Sequence, residues 1–270
     1  NVLTDTHFLS KSNDPRFLDL LNSAAWNLIY MLEPIKAEQL ITVGASYFLK
    51  NPEKYPYQMS VYYNTMGGIA LISKEYQQAE VYFLKVKDLE AEASIEIPSY
   101  LLVGLGSTYM RLAQYSKSIN YLEKGIKDHH FGGNIDEYKE VYIPLALSYF
   151  YSKDYNNSLR VIRDLSGLVS QNMQHQNVAV MPVVNNSDQD AFSLHVAIAL
   201  HPKQDGDRVP LVDEAFKTAQ LGQSTSAANA TAQMAARFAS KSDAIGQLIR
   251  RQQDLIFQYK KANEALMQSI

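Results

Sequence analysis

Residues 102–122 read LVGLGSTYMRLAQYSKSINYL, and their pattern returns twice more: as residues 63–83, YNTMGGIALISKEYQQAEVYF, and residues 145–162, LALSYFYSKDYNNSLRVI. Laid over one another, the three segments align Gly67 with Gly106 and Ala146, at separations of 39 and 40 residues. Each runs large, small, large, then a short turn opening on an aromatic (Tyr76, Tyr115, Tyr155). A second small residue follows three positions on (Ala79, Ser118, Ser158), and an apolar one four further (Phe83, Leu122, Ile162). A large-small-large face at helical spacing on both sides of a turn describes two antiparallel helices in contact. The small residues stand where the two backbones come nearest, and the large ones fill the space around them. Gly67, Gly106, Ala146, Ala79, Ser118, Ser158, Tyr76, Tyr115 and Tyr155 are therefore expected to build the core rather than a site.

This helix-turn-helix grammar resembles the tetratricopeptide repeat, whose usual unit is about 34 residues. The longer period here predicts inserted residues that lengthen the helices or the links between repeats, at Ala91–Pro98 and His129–Tyr138. The resemblance implies an all-α, right-handed α-solenoid of tetratricopeptide-like hairpins, followed by a helical C-terminal segment. It also implies a role in holding another protein, since such stacks present extended concave surfaces.

Composition agrees. Eighteen Tyr against twelve Gly and nine Pro in 270 residues suit packed helices with aromatic interfaces. A net charge of -3 gives no general pull toward nucleic acid or anionic membrane. No apolar run approaches the roughly 18 residues of a membrane helix, and Asn1-Val2-Leu3-Thr4 shows no basic-then-apolar leader. The chain begins without Met, which reads as a processed or excised chain. With no cysteine, it has no disulfide, thiolate metal site or thiol nucleophile.

Outward from the repeats, Pro15 and Pro34 each open a helix, and Asn51-Pro52 ends the second. Residues 1–58 are thus expected to form a degenerate repeat or cap, and residues 59–170 the three repeats. Periodicity fails between Gln171 and Asp190, so residues 171–209 read as a loop and connecting helix. Residues 210–270 read as a helical linker whose last helix carries a coiled-coil-like seam of Ile245, Leu248, Leu255, Tyr259 and Leu266.

Within that linker stand Asp213-Glu214-Ala215-Phe216-Lys217-Thr218-Ala219-Gln220, the alanine-rich run from Ser224 to Phe238, and Arg250-Arg251-Gln252-Gln253-Asp254-Leu255. In this order the three resemble the linker of bacterial tetratricopeptide proteins that carry a C-terminal CHAT domain, a caspase-like peptidase. Gln252 departs from the more usual Arg-Gln-Asp run. The resemblance implies a recognition or regulatory half whose His/Cys catalytic half is not in this chain.

No motif of chemistry stands against a non-catalytic scaffold. Neighbouring His129 and His130 point about 100° apart on a helix, and His195 and His201 are six residues apart, wrong for one face. Asp188, Asp190 and Asp205-Gly206-Asp207 lack the rest of a calcium loop and read as solvated turn. No catalytic residue, cofactor or metal ligand is expected. The expected partner is a protein or peptide, with a missing C-terminal peptidase domain or a second copy as further occupants, and neither nucleic acid nor membrane. Candidate groove residues on the first helices are Tyr62, Asn64, Thr65, Ser107, Met110, Arg111, Tyr142 and Ser148, which offer rigid contact area and hydrogen bonds. The alternative is a structural protein that oligomerises through the solenoid and the C-terminal helix.

Overall fold

The computed structural model describes residues 15–92, 99–128, 134–175, 186–204, 207–222 and 251. Among them are ten α-helices: α1 (Pro15–Tyr30), α2 (Pro34–Ala45), α3 (Pro56–Ile72), α4 (Tyr76–Glu92), α5 (Ser99–Arg111), α6 (Tyr115–Asp128), α7 (Ile135–Tyr151), α8 (Tyr155–His175), α9 (Asn186–Ala199) and α10 (Arg208–Gly222). Two short 3-10 turns, Phe48–Lys50 and Pro52–Lys54, join α2 to α3. No described residue is in a strand. The chain divides into two compact units, Asn1–Ile162 and Arg163–Ile270.

The first unit is a stack of helical hairpins in one register. In the pairs α3–α4, α5–α6 and α7–α8, the contact residues Gly67, Gly106 and Ala146 are buried, as are Ala79, Ser118 and Ser158 twelve positions later. Phe83, Leu122 and Ile162, sixteen positions later, are 2%, 0% and 0% exposed. The hairpin α1–α2 repeats this numbering with Ala25, Ala37 and Ile41, all buried. The segment expected to be a degenerate repeat thus keeps the register, at a spacing of 42 from Ala25 to Gly67.

The four turns are the same turn. Leu32, Lys74, Ala113 and Lys153 have φ of 58°, 64°, 56° and 69°. The next residue's N–H returns to the carbonyl five positions back: Glu33 to Leu28 (2.8 Å), Glu75 to Ala70 (2.8 Å), Gln114 to Tyr109 (2.9 Å) and Asp154 to Tyr149 (2.9 Å). This is the Schellman ending, which satisfies the last carbonyls of the first helix and normally uses glycine at the left-handed position. Here no glycine occupies it, so each turn carries the Cβ strain of an L-residue. The hairpin angle is held by the packing beneath.

Two glycines fit because their Cβ positions are taken. A Cβ on Gly67 would lie 2.6 Å from the Phe83 ring, and one on Gly106 2.5 Å from Leu122 Cγ. The second small residues do more than leave room. Ser118 Oγ donates to the Gly106 carbonyl (2.7 Å), and Ser158 Oγ to the Ala146 carbonyl (2.8 Å). Each hydroxyl ties the second helix to the backbone of the first at the point of closest approach. Ala79 and Ala37 have no hydroxyl, so this tie belongs to the later hairpins.

Tyrosines link one hairpin to the next. Tyr149 Oη donates to Glu123 Oε1 at 2.6 Å, joining α7 to α6. Burial first, and then Glu123, push the Tyr149 hydroxyl up to about 12. Burial and the Glu80 carboxylate of α4 do the same to Tyr109 of α5.

In the second unit, α9 packs on α10 around Ala191, Phe192, Ile198, Ala199, Leu211 and Ala215. Asp207 caps α10 by accepting from the Val209 N–H (3.1 Å). Two expectations are corrected. Helix α8 runs on to His175, where a loop was expected from Gln171, because Met173 is buried (7% exposed) and anchors the last turn. Asp188 and Asp190 lie in α9, not in a solvated turn, and Asp188 is buried. Of the insertions expected at Ala91–Pro98 and His129–Tyr138, Ala91 and Glu92 lie in α4 and residues 135–138 in α7, so they lengthen helices, while residues 93–98 and 129–133, His129-His130 among them, lie outside the described residues.

Two substitutions probe this register. Replacing Ala113 with Gly should raise unfolding free energy by about 0.5–1 kcal/mol by relieving the left-handed strain. Replacing Ser118 with Ala should lower it by about 1–3 kcal/mol, the cost of breaking a buried hydroxyl network. Urea unfolding of both variants checks the pair.

Candidate protein-binding face and a buried polar relay

The first helices touch one another along the stack, α1 on α3, α3 on α5 and α5 on α7, while each second helix packs on the first helix of the next hairpin. An array whose first helices lie closest together curves with those helices on its inner side. Flanked by neighbours and backed by the second helices, each keeps one accessible strip. On α5 it is Tyr100, Val103, Ser107 and Arg111; on α3 it passes through Val61 and Asn64; on α7 it passes through Ile143, Leu147 and Tyr151. These spacings of three and four are one face of a helix.

The structure sorts the eight groove candidates. Asn64 and Ser107 are half-buried on the strip, and Arg111 is exposed at its end. Tyr62 and Tyr142 are half-buried beside it, with Tyr62 packed at an edge of the core. The expectation that Thr65, Ser148 and Met110 face the groove is corrected: all three are buried, at 0%, 0% and 8% exposed. Thr65 Oγ1 bonds Asn22 Oδ1 and the Val61 carbonyl, tying α3 to α1. Ser148 Oγ lies 2.8 Å from Ser118 Oγ and 2.7 Å from the Pro144 carbonyl. Two hydroxyl protons thus serve three contacts, among them the Gly106 carbonyl, and two can be filled at a time. Counting helical spacing from the tightly packed small residue separates these cases. The buried Thr65 and Ser148 lie two positions before or after it, whereas the accessible Asn64 and Ser107 lie three before and one after. The seam residues Ile245, Leu248, Leu255, Tyr259 and Leu266 lie outside the described residues.

A second feature escaped the sequence. In the second unit, Glu214 of α10 accepts from Arg163 of α8 through both oxygens (Nε and Nη2, 2.6 Å each). Its Oε1 also lies 2.8 Å from His195 Nε2 on α9, and His195 Nδ1 lies 3.0 Å from Ser166 Oγ on α8. With the imidazole neutral, Nε2–H donates to the carboxylate and Nδ1 accepts from Ser166. Burial lowers the His195 pKa against the pull of Glu214, and Arg163 lowers it further. Hydrogen bonding from Arg163 holds the Glu214 carboxyl below its ordinary value.

Serine, imidazole and carboxylate in a row share the connectivity of a nucleophile, base and orienting acid. Ser166 and His195 are however 7% and 4% exposed on helices whose N–H groups serve the helices themselves. The arrangement is a tie among three helices. Its bonded partners lie 19 to 51 residues apart, and no local pattern marks them. No group of three or more His, Cys, Asp or Glu among the described residues could hold a metal ion. No described helix is long and apolar enough to cross a membrane.

No protein-family model and no curated protein matches the chain. Among solved structures it is similar to a crystal structure of a putative kinesin light chain from Podosopora anserina with nearly identical TPR-like repeats. The TM-score is 0.54 at 12% identity, covering 79% of this chain and 100% of that one. The fold is a TPR-like repeat solenoid. At that identity the likeness speaks for the fold alone.

The relay predicts a pH dependence. Because the folded pKa of His195 lies below its ordinary value, the unfolded chain binds the proton first as pH falls through about 6.5. Stability conferred by the neutral ring is therefore full above that pH and is lost below it. Thermal melts of the whole chain should show a fall in Tm between pH 7.5 and 5.5. His195→Gln should remove most of that slope, and an unchanged slope would count against the relay.

Proposed function

We propose that this chain is a protein-interaction scaffold that holds a protein or peptide segment along the inner strip of its first helices, and that it is not itself an enzyme. The observation that supports this most is the shared register: hairpins with equivalent turns and equivalent contact residues set Asn64, Ser107 and Arg111 on equivalent strips of adjacent helices. Such a surface offers amide, hydroxyl and guanidinium groups on rigid elements, the arrangement that recognises an extended chain.

The finer reading, a recognition half of a caspase-like CHAT peptidase, rests on the segment from Val212 to Leu255 alone. A His- and Cys-bearing domain encoded directly after Ile270 supports it, and a stop codon there favours a stand-alone adaptor. The assembly alternative predicts self-association through the same surfaces.

A photo-crosslinking residue at position 107, compared with one at Val81 on the outer side of α4, tests the scaffold reading in cells. Crosslinks to a different protein from position 107, and few from position 81, are expected. Crosslinks only to a second copy would move the reading to assembly. Turnover of a peptide or ester substrate by the purified chain would overturn the non-catalytic part.

A further inference from the structure

Charge is distributed unevenly between the two layers of the stack. The first helix α3 contains no charged residue, and α5 has only Arg111, its last residue. On α1 and α7 the charges stop at Asp19 and Glu140, leaving residues 20–30 and 141–151 without any. The second helices are different: α4 alone carries Glu80, Lys85, Lys87, Asp88, Glu90 and Glu92. Charge on the inner layer is therefore confined to the two ends of its helices.

The middle of the strip is formed three positions before and one after each close-contact residue. There stand Asn64 on α3, Val103 and Ser107 on α5, and Ile143 and Leu147 on α7, all half-buried. At the corresponding place on α3, Gly68 is covered by the Trp26 ring of α1, 2.8 Å from where a Cβ would stand. The strip thus passes from an amide on α3, through a small hydroxyl on α5, to two branched aliphatic side chains on α7.

Resting on the scaffold reading above, we infer that the occupant of this strip is an uncharged peptide segment, with an apolar side chain seated over Ile143 and Leu147 and a polar uncharged one beside Asn64. A Lys, Arg, Asp or Glu pressed against these rows would lose hydration and gain no counter-charge, a cost that buried charges recover only when paired. Amide and hydroxyl groups impose no such cost, since they can hydrogen-bond the peptide backbone. Arg111 and Glu140 at opposite ends of the strips restrict where a ligand's own charges can lie without restricting its middle.

Panning a displayed random 12-residue peptide library on the full chain, followed by fluorescence anisotropy with the selected peptides, tests this. The selected peptides should be depleted in charged residues, with Kd changing by less than about twofold between 50 and 500 mM NaCl, where the screening length contracts severalfold. Leu147→Lys and, independently, Asn64→Lys should each weaken binding on the order of tenfold, or about 1.4 kcal/mol. Circular dichroism identifies any variant that has lost its fold. Selected peptides rich in one sign of charge, with Kd rising steeply with salt, would overturn this inference while leaving the scaffold reading in place. Neutral peptides that bind both folded variants as well as wild type would also overturn it. No enrichment of any sequence would count against both.

Discussion

The Phe83 ring has a glycine on either side. A Cβ on Gly67 would stand 2.6 Å from it, and a Cβ on Gly104 2.7 Å from it, so the ring is wedged between the first helix of its own hairpin and that of the next. It is 2% exposed. A ring so placed cannot yield to one neighbour without pressing on the other, which fixes two spacings at once: α3 to α4 within a hairpin and α3 to α5 between hairpins. Interiors packed this densely transmit such a constraint rather than absorb it. Leu122 and Ile162 repeat the position with smaller side chains, and there Ser118 and Ser158 supply hydrogen bonds that the second hairpin lacks. Close approach is thus secured in two ways, by an aromatic wedge early in the stack and by hydroxyl ties later.

That close approach gives the first helices their common surface. Packing on both neighbouring first helices and second helices uses up their polar edge groups: Thr65 of α3 with Asn22 of α1, and Ser148 of α7 with Ser118 of α6. What stays accessible is a narrow strip on each helix. The residues that look most adaptable in the sequence, short hydroxyls on a first helix, are for the same reason often the ones that packing consumes. The buried carboxylate of Glu90 shows the cost of such packing. Its Oε1 accepts from Ser60 (3.1 Å) while Oε2 has no protein partner, and burial raises its pKa.

Much of the fold is legible in the sequence because repetition turns weak local signals into a strong one. Gly67, Gly106 and Ala146 could each be accidental, but their recurrence with Ala79, Ser118 and Ser158 at a constant offset could not. The first hairpin is harder to read, because Ala25, Ala37 and Ile41 carry neither the glycine nor the aromatic opening of the second helix; Pro34 stands near that place instead. The turns are silent as well, since Leu, Lys, Ala and Lys at a left-handed position follow no residue preference and are held there by the helices they join. The relay of Arg163, Ser166, His195 and Glu214 was out of reach, for it exists only once three helices meet. The groove candidates read from the sequence all lie on first helices, but burial decides which of two neighbours such as Asn64 and Thr65 is accessible.

The wedge is the claim on which register, inner layer and accessible strip all rest, and a double-mutant cycle tests it directly. Gly67→Ala, Phe83→Leu and the double variant would be compared by urea unfolding. Gly67→Ala alone should destabilise by about 1–3 kcal/mol through overpacking. In the double variant the smaller, flexible leucine should make room for the new methyl, so that the two effects fall short of their sum by about 1 kcal/mol or more. Additivity within about 0.5 kcal/mol would contradict a ring wedged against Gly67.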